Sequence, residues 1–324
     1  MKILFTADIH IKLGQKNVPV EWAKNRYNLL IDSLNERQHD CNWFIIGGDI
    51  FDRVPTMEEL EIYYKLITSI HKPCIIFPGN HESLKKDTTF FTHLKHVSHV
   101  LNPLVDIVDN YLTYSMPDDD LTPIFDIIPY NKLKDFEKNG NRLLTAPVLF
   151  THVRGEIPPH VKPEVDLSIF DRWKTVIAGD LHSYENSQRN ILYPGSPITT
   201  SFHRNRVDTG VILFDTNDHS HSWISLKLPQ LLRLTVKAGE PTPATDYDHT
   251  IYEVEGDMSE LSDLEDNDLI DKKLLKRESD VSLILDPSMS LSDELREYLL
   301  YILQLQEDKV ENVLQVFNNN LEKI

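Results

Sequence analysis

Residues 43–53 have the sequence WFIIGGDIFDR, an apolar run that breaks at two glycines and ends on a carboxylate. Four apolar residues followed by two glycines are typical of a buried parallel strand. In open α/β sheets, ligands bind at the carboxyl ends of such strands, so Asp49 is predicted to lie in that crevice. The stretch therefore predicts an α/β fold with its chemistry at one edge of a sheet.

The same pattern, an apolar strand that ends in a potential metal ligand, recurs at four other places in the chain. The stretches are KILFTADIH at 2–10, CIIFPGNHE at 74–82, VLFTH at 148–152 and TVIAGDLH at 175–182. A single aspartate after a strand is more often a turn former or a helix cap than a metal ligand. Five strand ends that all carry metal-binding residue types favour one shared metal site.

Two helices are predicted between these strands. Trp22, Tyr27, Leu30 and Leu34 approximate one helical face in a run that ends near Arg37. Thr56 with Glu59 forms a T-x-x-E capping box ahead of the periodic apolar residues that end at Ile70. Strands that alternate with helices in this way give right-handed βαβ units.

The order of the strand endings, D-x-H, GGD, GNHE, a lone histidine and GD-x-H, resembles the motif set of the calcineurin-like metallophosphoesterases. Two further stretches, FDIIPY at 125–130 and YPGSP at 193–197, are similar to the SbcD-type nuclease subunits, the bacterial and phage branch of the meiotic-recombination DNA nucleases. The resemblance covers roughly residues 1–215. It implies a four-layer αββα sandwich, in which two sheets are faced by helices, and a metal-dependent nuclease.

The resemblance also implies a ligand set of two metal sites that share Asp49. The first site would be Asp8, His10, Asp49 and His182, and the second Asp49, Asn80, His152 and Asp180. Asp180 departs from the family, which has a histidine there, so a capping or orienting role stays open for it. Oxygen and imidazole ligands without thiolates suit Mn²⁺, Mg²⁺ or Fe²⁺, and two Mn²⁺ ions are expected.

His81 follows Asn80 without a metal assigned to it. It is a candidate proton donor for the leaving oxygen or a stabiliser of the charged transition state, the alternative being an orienting role. Asp52 and Glu82 are candidates for holding imidazoles in register. Candidate DNA contacts lie in the loops that follow the ligand-bearing strands: Lys12, Lys16, Arg53, Arg154, His203, Arg204 and Arg206.

The net charge of the 324-residue chain is −18, whereas DNA-binding surfaces are normally basic. Residues 246–300 hold 17 acidic against 5 basic residues, which accounts for −12 of that charge. Most of the excess negative charge therefore lies outside the part of the chain that carries the motifs. It argues against strong unaided DNA binding and favours a partner or bound metals that hold the substrate.

Cellular location follows from the cysteines and the apolar runs. Cys41 and Cys74 are far apart in the sequence, which suits free thiols in a reducing compartment. Apolar runs stop at four to six residues, so neither a membrane span nor a signal peptide fits. A cytoplasmic protein is expected, in the host cytoplasm if the protein is phage-encoded.

The chain length favours one large domain with a smaller one appended. A Pro/Thr-rich break at 239–245 places the boundary near residue 228. We expect a nuclease domain over 1–228, a small α+β cap that presents DNA over 229–289, with strands at 251–254 and 281–285, and a C-terminal helical segment over 290–324.

The C-terminal segment has an apolar stripe. Ser290 and Asp293 form a capping pattern, and apolar residues then recur every three or four positions from Leu295 to Ile324. Such a stripe packs on its own domain or docks on a partner. SbcD-type subunits use C-terminal helices to grip the coiled-coil base of an SbcC-like ATPase, so docking is expected, and a homodimer is compatible with the resemblance.

These observations predict a manganese-dependent DNA nuclease subunit that acts with an SbcC-like ATPase. The resemblance implies double-strand exonuclease and single-strand endonuclease activity in DNA recombination, repair or replication. Two alternatives stay open. One is a phosphatase or small-molecule phosphodiesterase of the same superfamily, against which the cap and the C-terminal helix argue. The other is a catalytically weak scaffold that only binds the ATPase and DNA, which the Asp180 departure suggests.

Overall fold

The computed structural model describes residues 1–85, 88–115, 122–262, 264, 267, 269–274 and 289–321. The chain divides into two units, one with Met1–Leu231 and Tyr247–His249, the other with Leu232–Asp246 and Thr250–Ile324. The first unit contains every predicted site residue. The strand predicted at 281–285 and the end of the apolar stripe at Ile324 lie outside the described residues.

The first unit is built from two sheets and the helices that cover them. Its strands are β1 (Lys2–Thr6), β2 (Trp43–Gly47), β3 (Cys74–Phe77), β4 (Ser83–Lys85), β5 (Thr88–Thr89), β6 (Val105–Ile107), β7 (Leu112–Ser115), β8 (Pro123–Ile128), β9 (Val148–His152), β10 (Thr175–Gly179), β11 (Ile191–Leu192), β12 (Gly210–Asp215) and β13 (His221–Ser225). Its helices are α1 (Val20–Gln38), α2 (Met57–Ser69), α3 (Phe91–Leu101) and α4 (Leu133–Asn139).

The first sheet has the order β13-β12-β1-β2-β3-β6 and the second the order β11-β10-β9-β8-β7. Strands β1, β2, β3 and β6 run parallel, as do β8, β9, β10 and β11. Their apolar residues are buried, as expected for parallel strands that are covered on both faces. The carboxyl ends of β1, β2 and β3 therefore lie together at one edge, which is the edge that the sequence predicts.

Three apolar layers hold this unit together. Between the sheets, Phe5 of β1 packs on Phe150 of β9, with ring centroids 5.5 Å apart. Helices α1, α2 and α3 bury Leu30 and Leu66 on the outer face of the first sheet. Helix α4 buries Phe136 on the outer face of the second sheet. The predicted αββα sandwich is confirmed.

Both helix predictions in this unit are confirmed. Helix α1 covers the run that ends near Arg37, and its buried residues include Tyr27, Leu30 and Leu34. Helix α2 begins with the predicted capping box, since the Glu59 N–H donates to Thr56 Oγ1 at 3.3 Å and the Thr56 N–H donates to Glu59 Oε2 at 2.8 Å. The helix starts where these side chains satisfy its first N–H groups.

The second unit contains a small sheet and a helical hairpin. The sheet has strands β14 (Leu231–Lys237), β15 (His249–Gly256) and β16 (Ile270–Leu274), with helix α5 (Met258–Ser262) between the last two. The hairpin has α6 (Leu291–Glu297), a π-helical turn at Tyr298–Ile302 and α7 (Glu307–Leu321). The predicted Ser290–Asp293 cap is present at the start of α6. The division into a cap and a docking segment stays a prediction.

The hairpin covers only part of the predicted apolar stripe. Leu299, Val310 and Leu314 are buried against one another within the hairpin. Tyr298 and Val316 remain 43% and 63% exposed. The stripe is therefore two features: a small core that the hairpin makes for itself, and an exposed face. Among the described residues, no helix is long and apolar enough to cross a membrane.

Candidate metal centre

The loops after five strands bring the predicted metal-binding side chains together. Asp8 and His10 follow β1, Asp49 follows β2, Asn80 and His81 follow β3, His152 ends β9, and Asp180 and His182 follow β10. Three groups have ligand atoms within 4.8 Å of one another, and they are Asp8–His10–His182, His10–Asp49–His81 and Asp8–Asp49–His152. Both sheets therefore contribute to one cluster.

The backbone is strained where these side chains enter the cluster. Asp8, His10, Asp49 and Asp180 have positive φ angles of 57°, 49°, 51° and 103°, a region that costs energy for residues with a side chain. Loop–loop hydrogen bonds hold these conformations. The Asp8 N–H donates to the Gly48 carbonyl at 3.0 Å, and the His10 N–H donates to the Asp49 carbonyl at 2.9 Å. Backbone hydrogen bonds between the loops thus fix these conformations.

Asp49 is the centre of the cluster. Its Oδ2 lies 3.4 Å from His152 Nε2, 3.7 Å from His10 Nε2 and 3.9 Å from His81 Nε2. Although burial acts to raise the pKa of Asp49, the neighbouring imidazoles, His152 foremost, hold it well below the ordinary value. Asp49 is therefore a buried carboxylate anion on which three imidazoles converge.

His152 and Asn80 both lie against the Asp49 carboxylate. The His152 ring donates from Nδ1 to the Gly47 carbonyl at 2.8 Å, which turns Nε2 towards the cluster. Although burial acts to lower it, the neighbouring Asp49 carboxylate raises the pKa of His152 well above the ordinary value. The inner atom of the Asn80 amide is 2.9 Å from that Nε2 and 3.0 Å from Asp49 Oδ2. With nitrogen inward, the amide donates to both neighbours. With oxygen inward, three acceptors face one another, an arrangement that a cation satisfies.

His10 and His182 face each other across the other side of the cluster, with 3.2 Å between their Nε2 atoms. Burial lowers the pKa of both rings, that of His10 to about 3, so their neutral lone pairs are available to a metal. The Tyr27 hydroxyl donates to the His10 carbonyl at 2.8 Å, and Thr200 Oγ1 lies 3.3 Å from His182 Nδ1. The first contact fixes the backbone that carries the His10 ring, and the second orients the His182 ring.

His81 lies at the open side of the cluster, with a side chain that is 35% exposed. Its Nδ1 lies 2.6 Å from the Asp52 carbonyl oxygen, to which it donates. Its Nε2 faces Asp49 Oδ2. The contact through the Asp52 backbone orients the ring, while the Asp52 carboxylate is 2.8 Å from Lys12 Nζ and 3.9 Å from His10 Nδ1. A solvent-facing imidazole is therefore fixed beside the buried ones.

Glu82 supports the loops, whereas the sequence suggests that it holds an imidazole. Its buried carboxylate accepts N–H groups from Gly79 at 2.8 Å, Asp49 at 2.9 Å and Phe51 at 3.1 Å. Burial and the nearby Asp49 raise the pKa of Glu82 to about 7. One side chain thus ties the loop that carries Asp49 to the loop that carries Asn80.

Replacing Glu82 by glutamine is expected to lower the free energy of unfolding by about 1–3 kcal/mol and to reduce turnover. The amide group would face one of the three N–H donors, which would be left buried without an acceptor. Urea unfolding and turnover measure the two effects. The control is Glu61→Gln, an exposed glutamate of α2. If Glu82→Gln matched the control in both measurements, the supporting role would be wrong.

Asp180 makes a contact that the motif does not reveal. Arg154 Nε is 3.2 Å from Asp180 Oδ2, and Arg154 Nη2 is 3.3 Å from Asp180 Oδ1, so the ion pair is bidentate. The Asp180 N–H donates to both Asp8 oxygens at 3.1 Å. Asp180 Oδ1 also lies 3.9 Å from His152 Nε2. Asp180 thus lies beside the cluster with its charge balanced by Arg154.

The other candidate DNA contacts lie in two places. Lys12 and Arg53 are at the rim of the metal cluster, paired with Asp52 and Glu59. His203 and Arg206 line a cavity of about 700 Å³ that also includes His182; Arg206 is paired with Asp248. Lys16 and Arg204 lie in loops of the same unit.

Sequence reasoning missed the residues that support the cluster from outside the motifs. Tyr27 lies within α1 and Thr200 in a loop, where nothing in the local pattern separates them from ordinary core or surface residues. Ser196 lies within the YPGSP stretch, and its hydroxyl donates to the Asp8 carbonyl at 2.6 Å. That stretch was the one available signal for a support of the β1 loop.

Known proteins share this sequence pattern. The family described as calcineurin-like phosphoesterase matches residues 1–184. A protein named probable exonuclease subunit 1, from Escherichia phage T5, is 41% identical over 324 residues, which cover 97% of each chain. A putative phosphoesterase of Invertebrate iridescent virus 6 is 26% identical over 238 residues, 67% of this chain and 77% of that protein.

Two solved structures are also similar. One is described as a novel archaeal phosphodiesterase; it has 14% identity and a TM-score of 0.38, covering 70% of this chain and 100% of its own. The other, a protein of Thermus thermophilus, has 10% identity and a TM-score of 0.43, covering 69% of this chain and 98% of its own.

Proposed function

The chain belongs to the calcineurin-like phosphoesterases, and from this premise we propose that it is the nuclease subunit of a complex that cuts DNA. The support for DNA as the substrate is the phage T5 relative, whose name is probable exonuclease subunit 1. The cellular process would be DNA recombination, repair or replication. The word subunit in that name also supports a partner protein.

The observation that carries the proposal is the convergence of imidazole and amide groups on Asp49. His152 Nε2, His10 Nε2 and the inner atom of the Asn80 amide all face its carboxylate. A buried anion and the neutral lone pair of His10 are donors that divalent cations need, and His152 would become one when a metal displaces its proton, so the cluster fits the family's metals. Two bound cations would supply a reactive water nucleophile and would neutralise charge on the phosphate.

We assign the ligands to two sites that share Asp49. Asp8, His10 and His182 would complete the first site, and Asn80 and His152 the second, with Asp180 beside it. Oxygen and nitrogen ligands favour Mn²⁺, with Mg²⁺ or Fe²⁺ as alternatives. The role of the chain is to hold these donors at fixed positions, through the Gly47, Tyr27 and Thr200 contacts.

His81 is proposed as the proton donor to the leaving oxygen. Its Nδ1–H is fixed by the Asp52 carbonyl, so a protonated ring has its Nε2–H towards the cluster. A positioned acid of this kind contributes typically about 10²–10⁴ in rate. Its side chain is 35% exposed, so a phosphodiester that approaches the cluster from solvent can reach the ring.

The test of the function compares substrates. Purified protein with Mn²⁺ is given linear duplex DNA, single-stranded DNA, a phosphopeptide and a cyclic nucleotide, with and without an SbcC-like ATPase. The proposal predicts cleavage of both DNA forms, with the ATPase stimulating duplex digestion. Faster turnover of the phosphopeptide or cyclic nucleotide would favour a small-molecule phosphoesterase. Binding of ATPase and DNA without cleavage would favour a scaffold.

The exposed face of the C-terminal hairpin is the proposed docking site for the ATPase. Tyr298, Val313 and Val316 are exposed on the hairpin, while its own core is already filled by Val310 and Leu314. An exposed apolar face next to a completed core is typical of an interaction surface.

Removal of residues 290–324 is therefore expected to leave an active nuclease that no longer copurifies with a co-expressed SbcC-like ATPase. A more selective test of the same prediction uses Val316→Glu, which places a charge on the exposed face and leaves the core of the hairpin unchanged. Asn312→Glu, an exposed polar position of the same helix, is the control. Unchanged copurification of the truncated protein would rule the hairpin out as the docking site.

Self-association is a separate proposal. Helix α3 exposes Val97, Val100 and Leu101, at 40%, 66% and 42%, on the surface of the first unit. This face is the proposed dimer contact. Sedimentation of Val100→Glu against wild type tests it, because a dimer through this face would become a monomer.

A further inference from the structure

Arg154 and Asp180 form an ion pair where the family has a histidine. We propose that Arg154 is a catalytic residue, which binds a non-bridging oxygen of the scissile phosphate, and that Asp180 is the positioning residue that aims it. The proposal rests on the phosphodiester chemistry proposed above. It implies that the Arg154–Asp180 pair takes the role of the imidazole that the family has at position 180.

Strand pairing brings the two residues together. In the parallel pair of β9 and β10, His152 is the register partner of Gly179. The chain therefore leaves both strands side by side, with Arg154 two residues after His152 and Asp180 one residue after Gly179. The two bonds of 3.2 Å and 3.3 Å match the planar fork of a guanidinium to a carboxylate.

Burial differs between the two partners. The Asp180 side chain is only 6% exposed, whereas the Arg154 side chain is 44% exposed. The acid is thus fixed inside, and the guanidinium reaches solvent at the rim of the cluster. A guanidinium has five N–H donors, of which Asp180 takes two, and the described residues supply no other hydrogen-bond acceptor to it. The remaining donors belong to a side chain that is partly open to solvent and has Glu164 as a further acidic neighbour, so they are available to a phosphate oxygen.

The pair lies beside the second proposed metal site. Asp180 Oδ1 is 3.9 Å from His152 Nε2, and the Asp180 N–H donates to both Asp8 oxygens. These bonds hold Asp180 at a φ of 103°, which residues other than glycine rarely adopt. Strain that is held in place beside a reactive site is typical of a functional constraint.

The charge balance explains why an aspartate can stand at this position. An added carboxylate beside Asp8 and Asp49 would make the cluster more negative and would repel a phosphodiester. Arg154 cancels that charge, so the pair is neutral, like the imidazole it replaces. Among the described residues, none of the three convergent groups of His and Asp ligands includes Asp180. A neutral pair with an outward guanidinium is suited to phosphate, because Arg side chains clamp phosphoryl oxygens in many active sites.

The test uses the full chain, Mn²⁺ and bis(p-nitrophenyl) phosphate, a small diester that needs neither DNA nor a partner. Arg154→Gln is expected to lower kcat on the order of 10²-fold with Mn²⁺ affinity, measured by electron paramagnetic resonance, unchanged. Added guanidinium is expected to restore part of the rate of Arg154→Ala. The control is Arg189→Gln, which removes a similarly exposed arginine from an ion pair with Asp171. It should keep the wild-type rate.

A double-mutant cycle separates positioning from metal binding. If Asp180 acts through Arg154, Asp180→Asn lowers kcat in the wild type but has little further effect in Arg154→Gln. If Asp180 is instead a metal ligand, Asp180→Asn weakens Mn²⁺ binding in both backgrounds, and the proposal is overturned. A rate for Arg154→Gln equal to that of Arg189→Gln would overturn it as well.

The same measurements distinguish a failure of the proposed DNA substrate from a failure of the proposed Arg154 contact. A wild-type protein that cleaves the small diester but not DNA would contradict the nuclease proposal, while the Arg154 variants would still report on the phosphate contact.

Discussion

Asp49→Asn is expected to abolish phosphodiester cleavage and to leave the fold intact. Asp49 is the carboxylate on which His10, His81 and His152 converge, and its negative charge is what allows two cations to lie close together. Asparagine keeps the shape and an oxygen that can still accept the backbone N–H of His81, now bonded to Asp49 Oδ1 at 3.0 Å. The fold is therefore expected to be kept, with a lower free energy of unfolding because the charge that the imidazoles stabilise is lost.

The measurement is turnover at saturating Mn²⁺, together with thermal unfolding and the number of metal ions bound per chain. Asp171→Asn, at an exposed aspartate of the same unit, is the matched control and should be indistinguishable from wild type. If Asp49→Asn kept more than a small fraction of the wild-type rate, the assignment of two metals to this carboxylate would be wrong.

His81→Gln is expected to have the second largest effect, a loss on the order of 10²–10⁴ in rate with metal binding retained. The ring is partly exposed and is held through its Nδ1 contact to the Asp52 carbonyl, so its removal leaves the buried ligands in place. Glutamine fills a similar volume but cannot supply a proton at neutral pH. The loss would therefore report on proton donation.

The number of Mn²⁺ ions bound per chain distinguishes proton donation by His81 from metal ligation by His81. His81 Nε2 belongs to a convergent group with His10 and Asp49, so a ligand role has a geometric basis. Loss of one Mn²⁺ ion per chain in His81→Gln would identify His81 as a ligand. His99→Gln, on the exposed face of α3, is the control for removal of an imidazole elsewhere.

The sequence predicted those parts of the molecule that local patterns determine. Apolar runs that end in Gly-Gly-Asp or Gly-Asn-His specify parallel strands with polar ends, and parallel strands bring those ends to one edge. Asp49 and Asn80 could therefore be placed together from sequence alone. The Thr56–Glu59 capping box was equally predictable, because both partners lie within one helical turn.

The supporting contacts could not be predicted, because they join residues far apart in the sequence. Tyr27 reaches the His10 carbonyl from α1, and Thr200 reaches His182 from a separate loop. The Arg154–Asp180 pair depends on the register of β9 and β10, which a motif does not give. Glu82 was identified from the sequence as a supporting residue, but its partners could not be predicted. They are backbone N–H groups whose positions depend on how the loops fold.

The C-terminal stripe shows a different limit. A repeat of three or four residues predicts an apolar helix face but does not identify what covers that face. The structure divides the stripe into Leu299, Val310 and Leu314, which cover one another, and Tyr298 and Val316, which are exposed. Docking is therefore proposed for the exposed face alone.

The central claim is that Asp49 joins two cation sites in a phosphodiesterase centre. Anomalous diffraction at the manganese edge, from crystals grown with Mn²⁺, tests it most directly. We predict two peaks per chain on either side of the Asp49 carboxylate, one contacted by Asp8, His10 and His182 and the other by Asn80 and His152. A single peak, or peaks that do not share Asp49, would contradict the account.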